Sequence, residues 1–484
     1  EALAELAPLA GAGGDPELRR QALAAAASSH FVLRENQRVV EIAETLRGEA
    51  PASGAAAEAA LQAMRALGRD DRVAEIRAWE EWLRATHPAS PTTAEARYYL
   101  AAILGGTPGE ETAALDILRE IAAGGGERAA DALWRIAWVE RGLGDDAAAR
   151  EALDRLLATD TGTGYRAASL YWLARLAEPP DSPRAVELYR TLRREFPRDY
   201  YANAAAERLR ELGLDPVAAA PTPSAPPLPP PDPLTDPARR PEPAYRRAVE
   251  LAALGLPRLA AAELATVDLD ADPAAALALA RLHHRGGDTW SAIRLLLARF
   301  DDELTGLPLG APGVPREVWE TLYPFPYREQ IAEAVARSAA PGAPLDPWLV
   351  ASLARRESLF WRRAASAAGA VGVMQLIPAT AARVAESLGL PAPDRDALFD
   401  PELNVALGTA ELASLVAAFD GHRAPALAAY NAGETVAREW WDARPPGQPL
   451  DEWIETIPYS ETRLYVKAIL GTHPIYRALY PDAG

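Results

Sequence analysis

Glu357 is the residue whose position asks for chemistry. Asp346-Pro347 reads as an N-cap and a first helical residue, and from there Leu349, Val350, Leu353, Glu357 and Phe360 recur at helical spacing. The carboxyl therefore falls on the apolar stripe of its helix. A carboxyl held among apolar side chains resists ionisation, so its pKa rises, and a general acid working near neutral pH needs that. Staying protonated at pH 7 asks for about 3–4 kcal/mol of differential solvation. The plainer reading is an end-of-helix Glu paired with Arg355 or Arg356.

The residues that follow favour the first reading. Ser366 stands nine residues after Glu357, followed by Gly369-Ala370-Val371-Gly372-Val373-Met374-Gln375. Gly369 and Gly372 let the backbone approach a ligand closely or adopt positive φ. Gln375 brings an amide donor and acceptor suited to a sugar N-acetyl or hydroxyl group, and Met374 offers soft apolar contact. Farther on come Ala428-Ala429-Tyr430-Asn431-Ala432-Gly433 and Ile457-Pro458-Tyr459-Ser460-Glu461-Thr462-Arg463-Leu464-Tyr465-Val466. Each piece alone is weak, since a lone Tyr-Asn-Ala-Gly is more often a helix end than a site. Their order along one stretch carries the signal.

That set, Glu-Ser, Gly-x-Met-Gln, Ala-Tyr-Asn-Ala-Gly and Glu-Thr-Arg-x-Tyr-Val, resembles the catalytic domain of the soluble lytic transglycosylases. These are lysozyme-like enzymes that cut bacterial cell-wall glycan. The resemblance covers roughly residues 340–478. It implies that Glu357 is the catalytic acid/base, that Ser366 lies near the reacting sugar's N-acetyl group, and that Met374, Gln375, Tyr430, Asn431, Glu461 and Tyr465 line the sugar subsites. It further implies one carboxyl working twice with no metal or organic cofactor, where other glycosidases need two carboxylates. Peptidoglycan strands are the implied substrate, cell-wall synthesis or remodelling proteins the implied partners, and the periplasm the implied location. Val373 stands where the family usually has Leu, an apolar exchange. The run Trp361-Arg362-Arg363 is more basic than the pattern and would reshape one end of the groove. Two other readings remain at this point: a helical-repeat scaffold that binds glycan without cutting it, and a hydrolase of the goose-lysozyme type on the same fold.

The elements that must position these residues are helical. At 484 residues the chain exceeds one core. Abundant Ala and Leu with few β-branched runs predict an all-α fold. Tyr98, Trp134 and Tyr171 recur at spacings of 36 and 37, each followed three residues later by Ala101, Ala137 and Ala174. An aromatic residue with a small partner lets helix pairs stack, so a superhelix loosely like tetratricopeptide repeats is expected. Helix–turn–helix units are read at 129–142 with 145–157, and at 167–176 with 182–196. The expected domains are a superhelical body at 1–215, a Pro-rich linker at 216–244, a helical linker domain at 245–330 and a lysozyme-like catalytic domain at 331–484. The segment 216–243, with Pro229-Pro230-Pro231, cannot be helix. Tyr323-Pro324-Phe325-Pro326-Tyr327 also resembles the family's entry to the first catalytic helix. Family members with such a body form a ring, which would thread a strand and favour cleavage from its ends.

Composition excludes several classes. The net charge of −18 argues against nucleic acid, which needs a basic stripe. There are no cysteines, so neither disulfides nor thiolate metal sites arise. The six His show no metal spacing, and the adjacent His283-His284 point to different helix faces. No stretch reads as a membrane span. The chain opens at Glu1 without a visible signal peptide, as a mature or trimmed form would.

Overall fold

The computed structural model describes residues 2–11, 15–125, 127–159, 164–178, 183–216, 242–338 and 345–483. Helices dominate, with no strand among the described residues beyond two isolated antiparallel bridges, Ala365 with Val371 and Val371 with Leu376. The all-α expectation holds. The chain divides into two compact units, Glu1–Pro179 and Pro180–Gly484.

The first unit runs from helix Ala2–Ala10 to helix Arg166–Ala177, with sequence neighbours packed on one another. The repeated positions fall on helices Pro91–Leu104, Glu127–Gly142 and Arg166–Ala177. Ala101, Ala137 and Ala174 are buried at the packed faces, as are Trp134 and Tyr171. Tyr98 is half-buried, and Arg135 Nε donates to its hydroxyl at 2.7 Å. Aromatic contacts then pass from one pair to the next: Trp134 meets Tyr165 at 5.4 Å and Trp138 meets Trp172 at 4.9 Å. The expected turn before Asp146–Ala158 is closed by Asp145, whose carboxylate accepts from Ala147 N and Ala148 N as an N-cap does.

The second unit holds the motifs. Helices Pro243–Ala253, Pro257–Leu264, Pro273–Arg285 and Thr289–Thr305 precede them, two of these helices opening on a capping Asp. The Pro-rich stretch lies almost wholly outside the described residues. One apolar core runs from Ala276 and Phe300 through Trp319, Leu353 and Phe360 to Leu427, Tyr465 and Leu479. The linker helices and the motif-bearing segment thus share a single interior.

Helix Ser460–Leu479, which carries Tyr465, needs support because Pro474 lies inside it. Proline supplies no N–H and crowds the carbonyl four residues back. Helix Tyr200–Glu211 packs there, and Asn203 Nδ2 donates to Gly471 O at 3.1 Å. The approach is close enough that a Cβ on Gly471 would lie 3.2 Å from Tyr200 N. A buried ion pair completes the contact. Lys467 Nζ donates to Glu455 Oε2 at 2.6 Å and to the Tyr201 hydroxyl at 2.7 Å. Among the described residues no helix is long and apolar enough to cross a membrane.

Candidate active site

Glu357 sits in the last turn of helix Pro347–Ser358. The helix starts as read from sequence, with Asp346 Oδ1 accepting from Leu349 N at 2.8 Å and Pro347 in the first turn. It ends earlier than the apolar pattern, which continues to Phe360. Leu359 and Phe360 adopt left-handed backbone, φ 50° and 63°, so Phe360 reaches the core from outside the helix. Two left-handed non-glycine residues directly after Ser358, one residue beyond Glu357, are costly and mark a site held by its surroundings. Thr289 Oγ1, donating to Leu359 O at 3.1 Å, is one such hold.

The carboxyl of Glu357 is half-buried. Arg355 does not pair with it, because its guanidinium donates to Leu322 O. Burial is the largest influence on Glu357 and raises its pKa from 4.5 to about 7. A hydrogen bond from Tyr465 and the charge of Arg356 oppose that rise, while the charge of Glu461 adds to it. The Tyr465 hydroxyl donates to Oε1 at 2.5 Å. Oε2 is then the oxygen left to carry the acidic proton. Tyr465 is itself buried, and burial together with the charge of Glu357 holds its hydroxyl well above the ordinary range.

The neighbouring motifs converge unequally on this carboxyl. Tyr430 lies close enough for the Glu357 charge to raise its hydroxyl further, after burial, and it donates to Met374 O at 2.9 Å. Glu461 is exposed, and its charge reaches Glu357. Asn431 Oδ1 accepts from Thr462 Oγ1 at 2.6 Å, which joins the Tyr-Asn-Ala-Gly motif to the last one.

The glycine-bearing loop is fixed from below. Gly372 has φ 83°, and a Cβ there would lie 2.3 Å from Asn404 Nδ2 and 2.5 Å from Leu398 O. Only glycine fits. Gln375 also takes a left-handed φ of 50°, and its amide nitrogen donates to Gly372 O at 2.9 Å and Ala364 O at 3.2 Å. Those bonds use the donors, so the carbonyl oxygen is what Gln375 has left for a ligand. Ser366 is exposed, and its Oγ accepts from Ala370 N at 3.0 Å across the turn. Met374 departs from the expected sugar contact. Its side chain is fully buried against Gly408, where an added Cβ would meet its sulfur at 2.6 Å. What Met374 gives the site is backbone, a carbonyl for Tyr430 and an N–H for Asn404.

Two residues hold this loop: Asn404, which sequence reasoning missed, and Ser358, which it read only as part of the Glu-Ser motif. Asn404 is fully buried, accepts from Met374 N at 2.7 Å and donates to Val371 O and Leu398 O, both at 3.0 Å. Ser358 Oγ donates to Val373 O at 2.7 Å, tying the Glu357 helix to the loop. The available signal for Asn404 was a polar residue between Leu403 and Val405. A buried amide must find partners.

Residues 335–447 match the family model described as the transglycosylase SLT domain. Over 128 residues the chain is 38% identical to a putative soluble lytic murein transglycosylase of Haemophilus influenzae, covering 26% of this chain and 22% of the relative. Over 132 residues it is 35% identical to the soluble lytic murein transglycosylase of Escherichia coli, covering 27% and 20%. The match thus spans about a fifth of these relatives' own length. Among solved structures, the 70-kDa soluble lytic transglycosylase of Escherichia coli aligns with TM-score 0.67 at 22% identity, over 97% of this chain and 74% of that one. An inactive variant of the lytic transglycosylase Slt of Pseudomonas aeruginosa aligns with TM-score 0.62 at 23% identity, over 99% and 78%. At such identity these likenesses establish the fold.

Proposed function

We propose that the chain is a soluble lytic transglycosylase, on the strength of its SLT-domain match over residues 335–447, and that it cleaves the β-1,4 bond between N-acetylmuramic acid and N-acetylglucosamine in peptidoglycan without water. The observation that carries the reading is Glu357, a half-buried carboxyl with a pKa of about 7 held by the Tyr465 hydroxyl. Such a group is poised to give a proton and take one back at neutral pH.

In the first step Glu357 passes its proton to the glycosidic oxygen as the C1–O bond breaks, freeing the N-acetylglucosamine hydroxyl. In the second, the Glu357 carboxylate takes the proton of the muramic acid's own C6 hydroxyl as O6 closes on C1. The product ends in a 1,6-anhydro ring, Glu357 is again protonated, and no other reactant is consumed. The N-acetyl oxygen assists at C1, oriented by Ser366. Gln375, through its carbonyl, Tyr430, Asn431 and Glu461 line the sugar subsites, and Tyr465 positions the catalytic carboxyl. The strand is taken from its ends, in the periplasm.

A hydrolase of the goose-lysozyme type is the nearest rival, because the same carboxyl could activate water. The acid whose charge reaches Glu357, Glu461, is exposed, and it is the group that would have to serve as the second carboxylate. The test is digestion of purified wall by the parent and by Glu357→Gln. Anhydro ends from the parent and a loss of at least ~10²–10⁴-fold in the variant are expected. Activity of the variant within tenfold of the parent removes Glu357 from the mechanism.

A further inference from the structure

The basic run after the Glu357 helix lines a cleft of its own. Arg362, Arg363, Trp361 and Tyr327, with Arg258, His283, Asp288 and Trp290, line a volume of about 520 Å³. All of these residues belong to the second unit. Trp361 is about half exposed, and its ring lies 5.6 Å from that of Trp290, tilted by 37°. Arg294 stands over the far ring at 4.6 Å. The cleft is thus walled by an aromatic pair with cations on several sides.

Its charge runs against that of the whole chain. In a protein of net charge −18, three guanidinium groups line this cleft against one carboxylate. That carboxylate is already engaged, since Asp288 caps helix Thr289–Thr305 through Ser291 N and lies 3.2 Å from His283 Nδ1. Arg258 donates to Gly286 O, a neutral carbonyl, at 2.8 Å. Arg362 and Arg363 meet no carboxylate within ion-pair distance among the described residues. Guanidinium groups that the fold leaves without an acid are arranged for an anion from outside, and their planar fork matches a carboxylate.

The cleft is also near the reacting carboxyl. Trp361 is four residues beyond Glu357, so their Cα atoms are at most about 14 Å apart. Thr289, which lines the cleft, also bonds Leu359 O in the turn that follows Glu357. A ligand in the cleft would therefore bear on the backbone that presents the catalytic group.

We propose that this cleft is a second binding site on the wall strand, taking a carboxylate-bearing group beside the cleaved bond, with Arg362 and Arg363 on the carboxylate and Trp290 and Trp361 on its apolar neighbour. This rests on the wall-cleaving reading above. Two parts of the wall carry that chemistry: the acidic peptide stem, and the lactyl carboxylate of muramic acid where the stem has been removed and its amide bond to that carboxyl is gone.

The test is binding to Glu357→Gln, with and without Arg362→Gln/Arg363→Gln, using three ligands: stem-bearing strands, strands stripped of their stems, and the free stem peptide. The arginine changes are expected to weaken binding by about tenfold, or 1.4 kcal/mol, and added salt should shrink that loss. A loss confined to stem-bearing strands and free peptide assigns the site to the stem, and a loss confined to stripped strands, where alone the lactyl carboxylate is free, assigns it to the lactyl group. A change below twofold on all three overturns the proposal. The two readings fail separately. Anhydro products from the parent with no arginine effect on binding sink the cleft alone. Arginine-dependent binding without any cleavage by the parent sinks the proposed reaction and leaves the cleft.

Discussion

Replacing Tyr465 with Phe deletes the hydroxyl that donates to Glu357 Oε1 at 2.5 Å and leaves the ring packed where it is. That hydrogen bond favours the ionised carboxylate, so it holds the pKa of Glu357 below the value burial alone would set. A hydrogen bond to a charged group is worth about 1.5–3 kcal/mol. At about 1.4 kcal/mol per pH unit, its removal should move the alkaline fall of activity upward from near pH 7 by roughly one to two pH units. At pH 8 about a tenth of the parent carries the acidic proton, against half or more of the variant. The ratio of kcat/KM at pH 8 to that at pH 6 should therefore rise about five- to tenfold, whatever lost positioning does to the absolute rate. The assay is release of anhydro products from soluble strands across pH 5–9. Glu461→Gln is the opposite control. Its charge raises the Glu357 pKa, so its loss should move the fall downward. An alkaline fall that stays in place, or moves down, in Tyr465→Phe would refute the account of how Glu357 is tuned.

Three further outcomes follow from the same geometry. Glu357 binds its proton more tightly folded than unfolded, so the stability this contributes is present below pH 4.5 and is lost as pH rises through about 7. Glu357→Gln, uncharged throughout, should be more stable than the parent at pH 8 by up to about 3 kcal/mol, less whatever solvent screening removes. Thermal melts should show that gap closing toward pH 4. Gly372→Ala places a methyl against Asn404 and Leu398 O at positive φ, and should cost at least about 2 kcal/mol in a urea titration and most of the activity. Lys467→Met leaves the buried Glu455 without its Lys467 partner and should cost about 3–5 kcal/mol, while Lys467→Met with Glu455→Met should recover most of it.

What the sequence made legible was local. The Asp346-Pro347 start, the apolar stripe under Glu357 and the aromatic–alanine repeat each rest on the chemistry of residues within a turn or two, and the structure keeps them. What stayed hidden depends on contacts across the fold. The helix end at Ser358 is set by two left-handed residues that no propensity predicts, with Thr289 as one of their anchors. Met374 reads as a surface contact in its motif, but Gly408, more than thirty residues away, opens the space that buries it. The donors of Gln375 go to loop carbonyls that only the folded turn brings near. The roles of Asn404 and Lys467 stay hidden for the same reason: Asn404 shows only as a polar residue between Leu403 and Val405, and a polar residue on a helix reveals what it holds only when its partners on other segments are known.

The central claim is that Glu357 closes a ring within the sugar and does not admit water. Digestion of purified strands in heavy-oxygen water, followed by mass analysis of the muramic acid ends, tests it directly. The account predicts ends lighter than a reducing end by one water and free of label, formed by the parent and absent with Glu357→Gln. Reducing ends carrying one heavy oxygen atom, formed at the same Glu357-dependent rate, would contradict it and identify a hydrolase.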